Sequence, residues 1–191
     1  QMKYMVGDFE TTVYEGQTFT EVWASAVVEL GTEDVKIHHS IRETYNYLYN
    51  LKQNICIYYH NLKFDGSFWL SFLLTDLKYE QKLYVNPNND SDVHFLKEKE
   101  LTPKSFVYSI SDMGQWYSIL IKTPYAMIEI RDSLKLLPFS VEQIGKSFQT
   151  KHRKLNMDYK GHRYAGCPIT DSEKRYIAND VLVVKEALEI M

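Results

Sequence analysis

Asp8 and Glu10 stand two residues apart in a β-like run over residues 3 to 10, so the pleat sends both carboxylates to one face. Asp65 follows the apolar run Ile55-Cys56-Ile57-Tyr58-Tyr59, where a strand has ended and a helix begins. Asp180 comes four residues after Tyr176 in the last helical pattern, which stacks the two side chains on one face. Mg²⁺ and Mn²⁺ take oxygen ligands, few of them from the protein, with waters and substrate phosphates completing the shell. Carboxylates gathered from a strand, a strand-to-helix junction and a helix would hold two such ions, roughly 3.5–4 Å apart, across a scissile phosphate. Each residue also has a plainer role: an edge-strand charge for Asp8 or Glu10, a helix N-cap for Asp65, core packing for Tyr176. Asp180 is harder to explain that way, because Ile177 and Val181 put it on the apolar side of its helix. Spacing alone does not make the four converge.

The elements that must carry these residues follow from pattern. After the run 3 to 10, β-rich stretches at Glu21 to Leu30 and Asp34 to His39, separated by Gly31-Thr32, predict an antiparallel meander. Ser40-Ile41-Arg42-Glu43 reads as a capping box, and Ile41, Tyr45, Leu48 and Leu51 at helical spacing predict a helix over 41 to 53. Ile55 to Tyr59 predicts a central strand covered on both faces, and Asp65-Gly66-Ser67 opens the next helix. From 80 to 104 the pattern dissolves into Asn86-Pro87-Asn88-Asn89-Asp90 and the charge run Lys97-Glu98-Lys99-Glu100, which predicts a solvated, mobile surface insertion. Strands return at Ser105 to Ser111, Trp116 to Ile121 and Ala126 to Arg131, with Asp112 to Gln115 as a hairpin turn. A short helix ends near Phe148, and a capping box at Thr170-Asp171-Ser172-Glu173 starts the last helix. Between them, Lys146, Lys151, Arg153, Lys154, Lys160 and Arg163 face the single Asp158. The chain reads as one α/β domain over 1–191 with a mixed sheet.

The wording around the acidic residues narrows the chemistry. Asp8-Phe9-Glu10-Thr11-Thr12, His60-Asn61-Leu62-Lys63-Phe64-Asp65-Gly66-Ser67-Phe68 and Tyr176-Ile177-Ala178-Asn179-Asp180 resemble, in order and separation, the three exonuclease motifs of proofreading DNA polymerases. These are DEDD exonucleases with the DnaQ-like, ribonuclease H-like fold, in the subclass with tyrosine in the third motif. The sequence is most similar to the protein-primed family B DNA polymerases of small tailed bacteriophages, through His60 to Gly66, Met113-Gly114-Gln115-Trp116-Tyr117 and Asp132-Ser133-Leu134-Lys135-Leu136-Leu137-Pro138-Phe139. The resemblance implies a mixed central sheet flanked by helices, with an extra β-hairpin or loop insertion at about 80–104. It implies that Asp8, Glu10, Asp65 and Asp180 bind two Mg²⁺ or Mn²⁺ ions, that Tyr176 orients the attacking water, and that Lys154 assists near the phosphate. It further implies that Thr11, Asn61, Phe64, Ser133 and Leu134 hold the 3′-terminal nucleotides of a single strand, joined more weakly by His60 and Tyr159. The implied activity is 3′→5′ exonucleolytic proofreading on single-stranded DNA with release of nucleoside 5′-monophosphates, in the host cytoplasm. The family's palm, fingers and thumb are absent from these residues.

Composition bounds the rest. The chain has 191 residues, 45% of them hydrophobic, enough for one core without disulfide or structural metal. A net charge of −3 argues against a general basic surface for duplex DNA, while the local excess of positive charge between 146 and 163 supplies a strand groove. Cys56 and Cys167 belong to no ligand cluster and read as buried thiols. No apolar stretch is long enough for a bilayer, and the opening at Gln1, with its first strand immediately following, reads as a trimmed chain without a signal segment. Gly145-Lys146-Ser147 lacks the first glycine of a phosphate-binding loop, since position 140 is Ser140. The expected partners are a single-stranded 3′ end, a terminal protein and a polymerase domain, with the chain itself monomeric. The alternative is a docking module for the terminal protein or the rest of a polymerase, with vestigial carboxylates. A third reading keeps the chemistry and makes RNA the substrate.

Overall fold

The structure is a computed structural model and describes all residues except 12–14, 17–18, 83, 87, 95–100 and 111–116; for 84–86, 89–94, 110 and 117 it describes the backbone. The predicted turn at 112 to 115, Thr12, Met113 to Trp116 and the 97 to 100 charge run lie outside the described residues.

Alternation in the first run produces β1 (Lys3–Glu10), whose Met5 and Phe9 enter one core while Val6, Asp8 and Glu10 face the other way. β1 pairs antiparallel with β2 (Ala24–Glu29), which pairs antiparallel with β3 (Lys36–His38), the expected meander. Helix α1 (Ile41–Asn50) is capped by the Ser40 hydroxyl, which accepts the Glu43 N–H; the Glu43 carboxylate reaches back to the N–H of His39 and not to that of Ser40. The helix stops three residues short of expectation, because Lys52 takes φ 51° and turns the chain toward β4 (Ile55–Tyr59).

β4 lies between β1 and β10 (Met127–Asp132), parallel to both, which explains its unbroken apolar character. Helix α2 (Leu62–Ser71) continues as a π-helical turn over Phe72–Asp76. It begins three residues before Asp65, so that residue sits inside the first turn and does not cap it. The large sheet runs β3-β2-β1-β4-β10 and continues through β9 (Tyr117–Lys122), β8 (Ser105–Ile110) and β5 (Glu80–Gln81). β8, β9 and β10 form an antiparallel series. The 80–104 stretch carries more order than its composition predicts. β5 joins the sheet edge parallel to β8, and β6 (Tyr84–Asn86) with β7 (Asn89–His94) makes a separate antiparallel pair.

α1 and α2 cover one face over Leu48, Ile57, Tyr59, Leu62 and Trp69; α3 (Val141–Phe148) and α4 (Asp171–Ile190) cover the other over Val6, Ala26, Val28, Ile144, Ile177 and Val184. Both α3 and α4 start with complete capping boxes, Ser140 with Gln143 and Thr170 with Glu173. Cys56 and Cys167 are buried thiols, and burial pushes the Cys56 pKa up to about 11. This is a ribonuclease H-like α/β arrangement with an added hairpin. Among the described residues, no helix is long and apolar enough to cross a membrane.

Candidate active site

Of the three parallel strands, β4 and β10 end at one level and β1 runs on past them to Glu10. The register sets Gly7 of β1 and Asp132 of β10 beside Tyr59 of β4. Chains leaving the carboxyl ends of parallel strands enclose a crevice, and here the crevice is acidic. Asp8 and Glu10 project from β1 toward α4, which sends Asp180 to meet them; the carboxylate oxygens of these three lie within 4.8 Å of one another. A cavity of about 60 Å³ opens beside them, lined by Asp8, His60 and Asp180. Asp65 is 4% exposed and enters from α2, outside that tight group but near enough for its charge to act on Asp8.

So many carboxylates in a dry place resist ionisation. Burial first, then Glu10, Asp65 and Asp180, hold Asp8 well above the usual carboxylate range. Burial and Asp180 push Glu10 up to about 7, with Lys154 opposing. Burial and then Glu10 and Asp132 raise Asp65, and burial raises Asp180 against the pull of Lys154. A set of oxygen donors that cannot all be charged alone fits a divalent cation of the Mg²⁺ or Mn²⁺ type, whose charge would release the protons.

Lys154 lies against this group. Its ammonium is 3.2 Å from Asp180 Oδ2 and 5.6 Å from the Tyr176 ring centre, with its side chain 34% exposed. Burial works to lower its pKa, but Asp180 and Tyr176 outweigh that and raise it. Tyr176 packs edge-on against Tyr159 at 5.7 Å, and Tyr159 packs edge-on against Trp23 at 4.7 Å. The Tyr159 phenol faces Glu10, and burial followed by that carboxylate raises its pKa strongly. All six residues expected to do chemistry therefore gather around one crevice.

The residues expected to hold a strand divide. Thr11 follows β1 half-buried, Asn61 is exposed, Phe64 is 52% exposed with Phe68 edge-on behind it at 5.5 Å, and Leu134 is half-buried. These four keep surface open to solvent. Ser133 is fully buried, and its hydroxyl is 2.9 Å from His60 Nδ1, while His60 Nε2 is 2.5 Å from the Phe139 carbonyl. His60 and Ser133 thus tie β4 to the segment after β10, with both His60 ring nitrogens and the Ser133 hydroxyl already engaged, while the His60 ring still borders the cavity. Asp132, missing from the expected set, organises this wall: its Oδ1 accepts the N–H of Asn61 at 3.0 Å and of Leu134 at 2.9 Å. An aspartate closing a strand just before Ser133-Leu134 is the signal that would have found it, as a cap for the following 3₁₀ turn (Ser133–Lys135).

The basic run is less free than its composition implies. Lys146 pairs with Glu142, Lys151 with Glu33, Lys154 with Asp180 and Arg163 with Glu173. Glu33, His152 and Glu186 also bring ligand atoms within 4.8 Å, but Lys151 and His152 already occupy those carboxylates.

With this geometry described, kinship gives the class. The sequence profile of DNA polymerase type B, organellar and viral, matches residues 47–191, and the chain belongs to that family. Within it, the DNA polymerases of Bacillus phages B103 and phi29 are 35% and 34% identical to this chain over 96% of its length. Phi29 DNA polymerase complexed with single-stranded DNA superposes with a TM-score of 0.77 at 31% identity, over 98% of this chain. The chain spans 29% of the length of those two phage polymerases and 31% of that solved structure.

Proposed function

We propose that this domain is a metal-dependent 3′→5′ exonuclease acting on single-stranded DNA, the proofreading part of a protein-primed DNA polymerase, and that residues 1–191 form that one domain. The observation that carries the reading is the convergence of Asp8, Glu10 and Asp180 within 4.8 Å, with Asp65 buried alongside. Asp8, Glu10, Asp65 and Asp180 would hold the divalent ions. When bound, such ions supply an activated water and charge stabilisation for the leaving 3′ oxygen. The chain's own residues do the rest. Tyr176 offers a hydroxyl to orient the water, and Lys154 brings a fixed positive charge to the phosphate. Phe64 offers a face for a base, Asn61 a side-chain amide, and Leu134 an apolar wedge against the terminal nucleoside. A mispaired end unpairs at lower cost than a matched one, so it enters such a single-strand crevice more often.

The test is product polarity. A 5′-labelled oligonucleotide with Mg²⁺ or Mn²⁺ is expected to shorten as a ladder from its 3′ end and to stay intact with chelator. A labelled 5′ mononucleotide as first product, or cleavage in excess chelator, refutes the reading.

A further inference from the structure

Lys154 belongs to a stretch with almost no regular structure: from Thr150 to Thr170 the chain forms neither helix nor strand. A lysine on such a segment would ordinarily wander, since ordering each residue costs about 1–2 kcal/mol. Here the backbone before it is fastened at consecutive residues. Gln149, at φ 50°, turns the chain out of α3, and the Thr150 N–H donates back to the Gly145 carbonyl at 3.2 Å. Thr150 Oγ1 donates to the His152 carbonyl at 2.5 Å, and Arg153 Nε to the Thr150 carbonyl at 3.0 Å. The absence of a side chain at Gly145 lets the strap lie close, because a Cβ there would stand 2.9 Å from Arg153 Cδ.

The remaining fasteners come from one helix. Glu186 receives the His152 backbone N–H on Oε1 at 2.9 Å and meets His152 Nδ1 with Oε2 at 2.5 Å. Asn179 donates its amide N–H to the Arg153 carbonyl. Asn179 and Glu186 are seven residues apart, two turns of α4 on one face. Asp180, the partner of the Lys154 ammonium, lies between them. Three side chains of α4 therefore take hold of residues 152, 153 and 154 in succession.

We infer that Glu186, with Asn179, is a positioning residue: it clips the 150–154 strap to α4 so that the Lys154 ammonium is delivered to the acidic crevice. This rests on the reading of Lys154 given above. Because a displacement of about 1 Å at a reacting centre can cost on the order of 10²-fold in rate, a clip remote from the phosphate still bears on turnover.

The test is a cycle of Glu186→Ala and Lys154→Ala with Glu186→Gln as the conservative control, read in two ways. In single-turnover cleavage with Mn²⁺, Glu186→Ala is expected to slow the reaction by about 10- to 100-fold. Single-strand affinity in chelator should stay within about twofold, and in the Lys154→Ala background the same change should add less than about twofold. Glu186→Gln keeps an acceptor for the His152 N–H and should restore most of the rate. The second reading is Mn²⁺ titration without DNA, which needs no cleavage. Removing the ammonium at Asp180 should tighten Mn²⁺ binding, Glu186→Ala should shift it the same way by less, and the pair should add nothing beyond Lys154→Ala. Equal effects of Glu186→Ala with and without Lys154, in both readings, overturn the inference and leave Glu186 as a support of the helix alone. Coupled Mn²⁺ titrations in a chain that does not cleave would keep the clip and sink the nuclease reading.

Discussion

Tyr176 and Asp180 share a face of α4, yet their proposed tasks differ, and the difference is measurable. Asp180 brings one of three carboxylates that meet within 4.8 Å, so Asp180→Ala should abolish tight Mn²⁺ binding and drop cleavage to background. Tyr176→Phe keeps the ring against Tyr159 and beneath the Lys154 ammonium and deletes only the hydroxyl. It should bind metal and strand as the parent does while cleaving about 10²- to 10⁴-fold more slowly. Near-parent cleavage by a folded Asp180→Ala protein would mean that the pair is structural. The same carboxylates set a pH dependence. Glu10 has its pKa raised from the ordinary 4.5 to about 7, so the metal-free fold holds a proton there that the unfolded chain has released. Its contribution is full below about pH 4.5 and is lost as pH rises through about 7, up to about 3 kcal/mol for such a shift. In chelator, the melting temperature should therefore fall between pH 5 and pH 7.5. Mn²⁺ should reverse that fall most strongly at the upper end, where it no longer competes with protons. A metal-free melting temperature that climbs across this range would contradict the protonated cluster.

At the scale of elements, the seam beneath the site depends on a close approach of backbone to ring. Gly7 in β1 pairs with Tyr59 in β4, and a Cβ at position 7 would stand 2.6 Å from the Tyr59 Cζ. Tyr59 is fully buried and packed against Phe9 and Trp69, so it has nowhere to retreat. Gly7→Ala should cost about 1–3 kcal/mol by overpacking and lower the melting temperature by roughly 2–10 °C. An unchanged melting curve would mean that the β1–β4 seam is looser than its contacts indicate. Local patterns of this kind were legible in the sequence: the alternation of β1, the apolar run of β4, and the caps Ser40 and Thr170. What was not legible depends on distant partners. The start of α2 at Leu62 follows from Asn61, whose φ of 68° and N–H bond to Asp132 come from a residue 71 positions away. The two-residue β5 has too little sequence to carry a signal and exists because β8 offers it an edge. Likewise, spacing could nominate Asp8, Glu10 and Asp180, but only the packing of α4 on β1 brings them together. Asp65 retained two readings in the sequence because its neighbours fit a cap, and its burial inside the first turn removes that reading.

For the molecule as a whole, charge bookkeeping governs how a strand would be held. The net charge is −3, and the basic stretch that seemed to offset it is largely spent: Lys146, Lys151, Lys154 and Arg163 each face a carboxylate. Exposed pairs such as Lys151 with Glu33 are worth little and can open for a phosphate, but each opening leaves the glutamate behind as an opposing charge. Binding of a single strand to this chain should therefore rest on stacking at Phe64 and apolar contact at Leu134 more than on counterion release. Anisotropy titrations of a labelled oligonucleotide in chelator, repeated across a salt series, should give a log–log slope shallower than about −2, the value for about three phosphates at roughly 0.7 each. Glu33→Gln should tighten binding by freeing Lys151, and Lys151→Ala with Arg153→Ala should flatten the slope by no more than about 1. A parent slope steeper than about −4 would show that the ion pairs open together under a strand, and the basic run would then be a phosphate track.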